Sequence, residues 1–394
     1  MTPKRFNVVK TITDSIRKHG ATMKLEEMST PIIEYTDLLM SKYGDEAETK
    51  LIFNLKEHNK QSGSLRYDLT VPLMRYMVNN GLDHIRRLQI GPAFRRDKPY
   101  PESGRLCEFY QADCDIVGDY DPLTSESEIF WLISKVMKDI GVDNYLIKYN
   151  YRQNLVKMCN MIGIKSVKHI KDICATIDKA DKITWDEIKT ELKDVRNLTD
   201  KQIQSLCTLL EENYLDESIK DFDVKLTALV NNPKFSFDAT LARGLDYYTG
   251  IIYEVVIPDS KIKTVIAGGR YDKLIYMNTK KKGKKYIPAI GVSFGLSRLE
   301  LVAKLPETAK KSDIYVISQD LMMRLKLCEK FRDMGLVVDY EINKRKTIKS
   351  ITFAVKNNFK YCAIYGENDD KVKIKVLANK DPDVEYLFDQ IPFL

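Results

Sequence analysis

The chain has 394 residues, 44% of them hydrophobic and 30% charged, with a formal net charge of +7. That much apolar material supports two or three packed domains and excludes a disordered protein. No run approaches the roughly 20 consecutive apolar residues of a membrane span, so no membrane partner is expected.

The opening Met1-Thr2-Pro3-Lys4-Arg5-Phe6 lacks the apolar core of a secretory signal, which predicts a cytoplasmic protein. Seven cysteines (107, 114, 159, 174, 207, 328 and 362) form no C-x-x-C pair and read as reduced, mostly buried thiols. The four histidines (19, 58, 84 and 169) are far apart, so no metal site built from protein His or Cys is expected. The mild positive charge tolerates a polyanionic partner without demonstrating one.

In chain order, apolar positions Val8-Val9, Ile12 and Ile16 predict a helix over 5–19, closed by Gly20. Extended segments follow at Pro31-Ile32-Ile33, Leu51-Ile52-Phe53 and Ser64-Leu65-Arg66-Tyr67. A helix from Val71 to Val78 ends at Asn79-Asn80-Gly81. Strands return at Arg87-Leu88-Gln89-Ile90 and over 107–116, and Ser125-Glu126-Ser127-Glu128 reads as the capping box of the next helix. From 151 to 235 the pattern changes to short helices, two of them opened by capping boxes at Thr184 to Glu187 and Thr199 to Gln202. With 14 basic and 14 acidic residues this region is no electrostatic patch. Strands resume at Ile251 to Val256, a glycine-rich turn is expected at Gly268-Gly269, and a lysine-rich loop at Lys280 to Lys285. A strand pattern follows at Ala289 to Gly295. After Pro306 the order is strand (314–317), helix (321–334), strand (337–340), helix (346–357) and strand (361–365), which argues a separate small α/β domain.

The densest chemistry lies in Phe94-Arg95-Arg96-Asp97 and Arg105-Leu106-Cys107-Glu108-Phe109-Tyr110-Gln111. Two strands joined by a Pro/Gly loop predict an antiparallel hairpin whose alternation lines up charged and aromatic side chains on one face. Arginine suits polyphosphate through its planar, permanently charged fork, and Phe109 suits a nucleobase. A solvent-exposed hairpin with surface ion pairs accounts for the same residues about equally well. Asp246, Tyr247 and Tyr248, between Gly244 and Gly250, either satisfy one another in a core or accept a substrate's ring N–H, and spacing does not decide. Gly268-Gly269 and Gly291…Gly295 do not make G-x-G-x-x-G, and no G-x-x-x-x-G-K-[ST] loop exists, so an ATP site here is of another design.

In order and spacing these segments resemble the class II aminoacyl-tRNA synthetases. Thr30-Pro31 looks like motif 1, Phe94 to Gln111 like motif 2 and Gly291 to Glu300 like motif 3. Leu241-Ala242-Arg243-Gly244-Leu245-Asp246-Tyr247-Tyr248-Thr249-Gly250, together with Ala267-Gly268-Gly269-Arg270-Tyr271-Asp272, is similar to the histidyl-tRNA synthetase family. The form is eukaryote-like, with Arg66-Tyr67-Asp68-Leu69-Thr70 ahead of motif 2. The resemblance implies an α+β catalytic domain, an antiparallel sheet with flanking helices, over 1–150 and 236–305. It also implies a helical insertion over 151–235 and a C-terminal α/β anticodon-binding domain over 306–394.

It further implies ATP-dependent ligation of L-histidine to tRNA(His) through a histidyl-adenylate, with Mg²⁺, in a homodimer whose interface includes motif 1. Carried over, Asp68 and Thr70 would bind the α-amino group with Gln111 assisting. Asp115 and Tyr248 would hold the imidazole, and Tyr247 would wall the pocket. Arg95 would grip the substrate carboxylate and the α-phosphate, against which Arg243 would also sit as the catalytic arginine. Phe109 and Arg298 would sandwich adenine, with Arg105 on the phosphate side and Asp97 also in the ATP site. In the last domain Lys344, Arg345, Lys346, Lys349, Lys356 and Lys360 lie in a stretch without an acid, which the resemblance turns into a tRNA phosphate contact. Motif 2 departs from the family's Arg-Tyr-Arg-Glu at Leu106-Cys107, and the family's Gly-Thr-Arg-Asp-like segment is not found before the first helix. The alternative reading is a synthetase-like regulator that senses histidine or uncharged tRNA without catalysis.

Overall fold

The computed structural model forms two compact units, Met1–Lys304 and Leu305–Leu394, with the boundary close to the change of sequence pattern at Pro306. It describes residues 2–37, 39, 52–55, 62–96, 98–180, 183–242, 247–279, 283–305, 313–342, 346–366, 370–377 and 383–392.

The first unit opens with α1 (Pro3–Thr22), β1 (Glu26–Glu27), β2 (Ile33–Tyr35), β3 (Gly63–Leu65) and α2 (Thr70–Asn80). The hairpin strands β4 (Ile85–Phe94) and β5 (Glu108–Val117) follow, then α3 (Pro122–Asp139) and β6 (Leu146–Tyr151). Helices α4 (Arg152–Met161), α5 (Val167–Ile177), α6 (Trp185–Asp194), α7 (Asp200–Glu211) and α8 (Glu217–Val230) lead to β7 (Phe235–Phe237). The unit ends with β8 (Ile251–Val256), β9 (Thr264–Arg270), β10 (Tyr276–Thr279), β11 (Gly283–Tyr286), β12 (Ala289–Gly295) and α9 (Leu296–Val302).

Among the described residues its main sheet runs β1-β4-β5-β12-β9-β8-β6-β7, antiparallel except at the two edges, where β1 and β7 pair in parallel. This sheet with flanking helices is the class II synthetase fold. Helices α4 to α8 form the connection between β6 and β7, which are neighbours in the sheet. Leu155, Met158, Ile170 and Ile173 of that connection share a core with Leu73 and Met77 of α2.

Four local expectations change. Helix α1 passes through Gly20 to Thr22; the chain folds back there, with Leu25 N–H donating to the Gly20 carbonyl at 3.0 Å and the Leu25 side chain covering the bare Cα. The cap of helix α3 lies four residues before the proposed one, at Asp121 (Thr124 N–H to Oδ1, 2.9 Å), with Pro122 in the first turn. Ser125 and Glu126 instead face inward and receive Arg270, at 2.9 and 2.8 Å. Gly268 and Gly269 are not a turn but the middle of β9, where the sheet closes tightly. A Cβ on Gly268 would stand 2.2 Å from the Gly291 carbonyl oxygen and 2.4 Å from the Tyr253 hydroxyl. Within the proposed lysine loop, Gly283 to Lys285 belong to strand β11, and 280–282 lie outside the described residues. The capping boxes of α6 and α7 are present with both reciprocal hydrogen bonds.

The second unit contains β13 (Ile314–Ser318), α10 (Leu321–Asp333), β14 (Val338–Tyr340), α11 (Thr347–Lys356) and β15 (Tyr361–Tyr365). It ends with β16 (Lys371–Val376) and β17 (Val384–Leu387). The sheet order is β14-β13-β15-β16-β17, parallel around β13 and antiparallel beyond β15. Its own core includes Ile314, Val316, Leu327, Phe331 and Ile374.

Candidate active site

β4 and β5 pair antiparallel from Ile85↔Val117 to Phe94↔Glu108. Side-chain alternation then puts Phe109, Gln111, Asp113 and Asp115 on one face of β5, and all four line a cavity of about 380 Å³. Asp68 and Thr70 enter from the start of α2, Ser293 from β12, Tyr247, Tyr248 and Tyr271 from the loops, and Arg298 from α9. Arg95 and Arg105 come from the β4–β5 connection.

One end of the cavity is rich in acceptors. Asp68 is fixed by the N-terminus of α2, its Oδ1 receiving the N–H of Thr70 (3.1 Å) and Val71 (3.0 Å), while its buried Oδ2 has no partner among the described residues. The Gln111 amide nitrogen donates to Ser293 Oγ at 2.6 Å, and its Oε1 is likewise without a partner. Asp115, 2% exposed, faces Arg87 directly across the strands; Oδ2 lies 2.8 Å from Arg87 Nε, and Tyr271 donates its hydroxyl to Oδ1. Burial pushes the Asp115 carboxyl above its usual range, and Arg87 opposes that. Gly291 is what admits this carboxylate, because a Cβ there would stand 2.1 Å from Asp115 Oδ1. Tyr248 is buried, with the Tyr247 ring tilted against it at 4.9 Å and Tyr247 edge-on to Tyr271 at 5.9 Å.

The other end is cationic. Arg95 lies over the Tyr67 ring (4.1 Å) and the Phe109 ring (5.0 Å), with Nε donating to the Tyr67 carbonyl at 3.2 Å. Arg298 donates to the Thr264 carbonyl at 2.7 Å, and Gly104, at φ +69°, packs against the Arg298 side chain. Arg105 is exposed beside them. Such a cavity can hold a cationic head group at one end and polyphosphate at the other.

The fold thus brings together Asp68, Thr70, Arg95, Arg105, Phe109, Gln111, Asp115, Tyr247, Tyr248 and Arg298. Asp97, Arg243, Lys344 and Arg345 lie outside the described residues. Lys346 and Lys349 belong to the second unit and are exposed. Lys360 does not fit the stretch without counter-charges, because Asp313, distant in sequence, takes its Nζ at 2.9 Å. Sequence reasoning missed Arg87, Asp113, Ser293 and Tyr271. The hairpin register, had it been known, would have set Arg87 opposite Asp115. Among the described residues no group of three or more His, Cys, Asp or Glu is placed to hold a metal ion.

This sheet and this two-ended cavity define a class II synthetase catalytic body. The profile of the histidyl-tRNA synthetase family matches residues 1–299, and the chain belongs to that family. The histidine–tRNA ligase of Caenorhabditis elegans is 31% identical over 96% of this chain and 81% of its own length. The ligase of Oryza sativa subsp. japonica named cytoplasmic is 30% identical over 93% of this chain, which spans 49% of that longer protein. In fold, the chain is similar to the histidyl-tRNA synthetase of Nostoc sp. PCC 7120, with a TM-score of 0.74, 24% identity and coverage of 99% and 95% of the two chains. Relatives named cytoplasmic and relatives named mitochondrial both align over most of this chain. No described helix is long and apolar enough to cross a membrane.

Proposed function

We propose that the cavity activates histidine with ATP, and that the enzyme passes the histidyl group to tRNA(His). What carries this reading is the polarity of one cavity: buried acceptors on Asp68 and Gln111 with no partner among the described residues at one end, arginines at the other. The α-ammonium group sits among Asp68, Thr70 and Gln111, and the imidazole lies between Asp115 and Tyr248, with Tyr247 as a wall. Because Arg87 and Tyr271 fix Asp115, its remaining lone pairs point in a set direction, and a side chain with no N–H to place there forgoes that hydrogen bond, which favours an imidazole.

ATP lies with its adenine between Phe109 and Arg298 and its phosphates toward Arg95 and Arg105, with Asp97 also in the ATP site. Mg²⁺ would accompany ATP and neutralise part of the phosphate charge, with no residue of the chain assigned to it. The histidine carboxylate oxygen attacks the α-phosphorus in line, the bond to the β-phosphate bridge breaks, and pyrophosphate leaves. A terminal ribose hydroxyl of tRNA then attacks the adenylate's carbonyl carbon, the acyl–phosphate bond breaks, AMP leaves and the hydroxyl proton passes to solvent. Both reactants of the first step are anions, so the site supplies alignment and charge neutralisation by Arg95 and Arg243, and no general base.

ATP–pyrophosphate exchange, run with each amino acid in turn, tests this. Exchange driven by histidine alone is expected; exchange driven by another amino acid, or by none of them, would refute the reading.

The active form is a homodimer closed by the Thr30-Pro31 segment. In support, Thr30 is tied to the sheet through Gln89 (2.9 Å) and Arg66 (2.8 Å), while the neighbouring Ile32, Ile33 and Tyr35 are 43%, 58% and 54% exposed. Sedimentation at micromolar concentration is expected to give twice the 45.6 kDa chain mass, and a monomer alone would contradict it. In the second unit, Lys346 caps α11 and Lys349 lies in its first turn, both exposed. The helix dipole there also favours an anion, and we assign these cations, with Lys344 and Arg345, to tRNA phosphates.

A further inference from the structure

Asp113 has no role in the scheme above, yet it has the features of a carboxylate built for a ligand. It is 3% exposed, stands on the cavity face of β5 between Gln111 and Asp115, and its Oδ1 has no partner among the described residues. Such an oxygen is costly to leave bare. Ser293 faces it in the β5–β12 register, and its hydroxyl favours the ionised carboxylate. That hydroxyl has one proton. Turned toward Asp113, it would leave the Ser293 oxygen to accept, which matches the Gln111 NH₂ group donating to it at 2.6 Å. The Gln111 carbonyl oxygen is thereby turned away from Ser293 and has no partner among the described residues. Asp68 Oδ2, Gln111 Oε1 and Asp113 Oδ1 are then three buried acceptors lining one cavity, and a group carrying several N–H donors and a positive charge satisfies them together.

We infer that Asp113 binds the α-ammonium group of the substrate directly and, through Ser293, orients Gln111 toward the same group. This rests on the histidine-activating reading above.

The charged and polar groups facing Asp113 are Arg87 and the neutral Gln89 on β4, Asp115 on its own strand, Ser293 on β12 and Asp68 before α2, with Arg66 farther off. Burial first, opposed by Arg87 and reinforced by Asp115, pushes the Asp113 carboxyl up to about 7. An ammonium group favours the ionised form, so the carboxyl in the complex lies lower than in the free protein. The affinity Asp113 contributes is therefore present above about pH 7 and is lost as the pH falls below it.

The test compares binding of histidine, histidinol and imidazolepropionate to the full chain and to Asp113→Asn. Histidinol keeps the ammonium and lacks the carboxylate, and imidazolepropionate lacks the ammonium. Asp113→Asn is expected to weaken histidine and histidinol by about 10- to 100-fold and to leave imidazolepropionate within about twofold, the range for hydrogen bonds to charged groups. The wild-type to variant affinity ratio for histidine is expected to grow between pH 6 and 8, and because the ligand titrates identically with both proteins, its own imidazole cancels. Ser293→Ala, which keeps the carboxylate, is expected to weaken the same two ligands by a smaller factor, about 3- to 10-fold. Equal loss for all three ligands, or an unchanged histidine affinity, overturns the inference while the reading of the site stands. A wild-type chain that binds no histidine overturns both.

Discussion

Arg95→Ala is expected to lower histidine-dependent ATP–pyrophosphate exchange by about 10²- to 10³-fold, mostly in kcat, the usual size of effect for one preorganised donor aimed at developing charge. The guanidinium is already fixed before substrate arrives: two aromatic rings lie against it and its Nε is spent on the Tyr67 carbonyl. The ligand is therefore left to the two terminal nitrogens, a planar fork matched to carboxylate or phosphate oxygens. A fork held in place costs no reorganisation as charge shifts from the carboxylate to the leaving pyrophosphate, so its loss falls on the transition state more than on ground-state affinity. Arg95→Lys keeps the charge and loses the fork, and should fall between wild type and alanine. Steady-state exchange with saturating histidine and ATP measures both variants, with a thermal melt to register the lost ring contacts. Near-normal exchange by the alanine variant would remove Arg95 from the reaction.

How far the sequence could be read depended on whether a feature is local. The strands at Ile251–Val256 and Tyr361–Tyr365 and the helices opened by Thr184 and Thr199 were legible because hydrophobic period and capping chemistry sit within a few residues. The edge strands Glu26–Glu27 and Phe235–Phe237 are too short to show a period, and neighbours in space hold them in the sheet. Gly268-Gly269 was misread because a turn and a close approach of strands both call for a missing Cβ, and only the Tyr253 hydroxyl and the Gly291 carbonyl decide between them. Ser125 and Glu126 carry a genuine capping pattern, overridden by a buried arginine 144 residues away from Glu126. In the site, residues inside contiguous motifs could be named. Arg87 and Ser293 act only by facing β5 across the sheet, which no local spacing reveals.

A chain ending at Lys304 is expected to retain histidine-dependent exchange and to lose tRNA aminoacylation by at least about a hundredfold, since phosphate contacts and their counterion release go with the second unit. Each unit has its own apolar core, and every described residue lining the cavity precedes Lys304, so the truncation removes no described side chain from the adenylation site. Truncation alone could lose tRNA for many reasons, and Lys346→Glu with Lys349→Glu in the full chain isolates the charge. Both residues are exposed at the N-terminal turn of α11, where the helix dipole makes lysine the unfavourable choice and glutamate the favourable one. The reversed chain should therefore melt no lower than wild type, and a loss of tRNA binding cannot be ascribed to a weakened helix. Tighter-folded yet weaker-binding protein, with the salt slope of tRNA affinity reduced by about one for each phosphate contact removed, is the expected signature, and exchange should be unchanged. Unaltered tRNA affinity across a salt series would make these lysines a solvated surface. Recognition by this unit would then have to run through side chains that stack on unpaired bases, whose contribution is far less sensitive to salt.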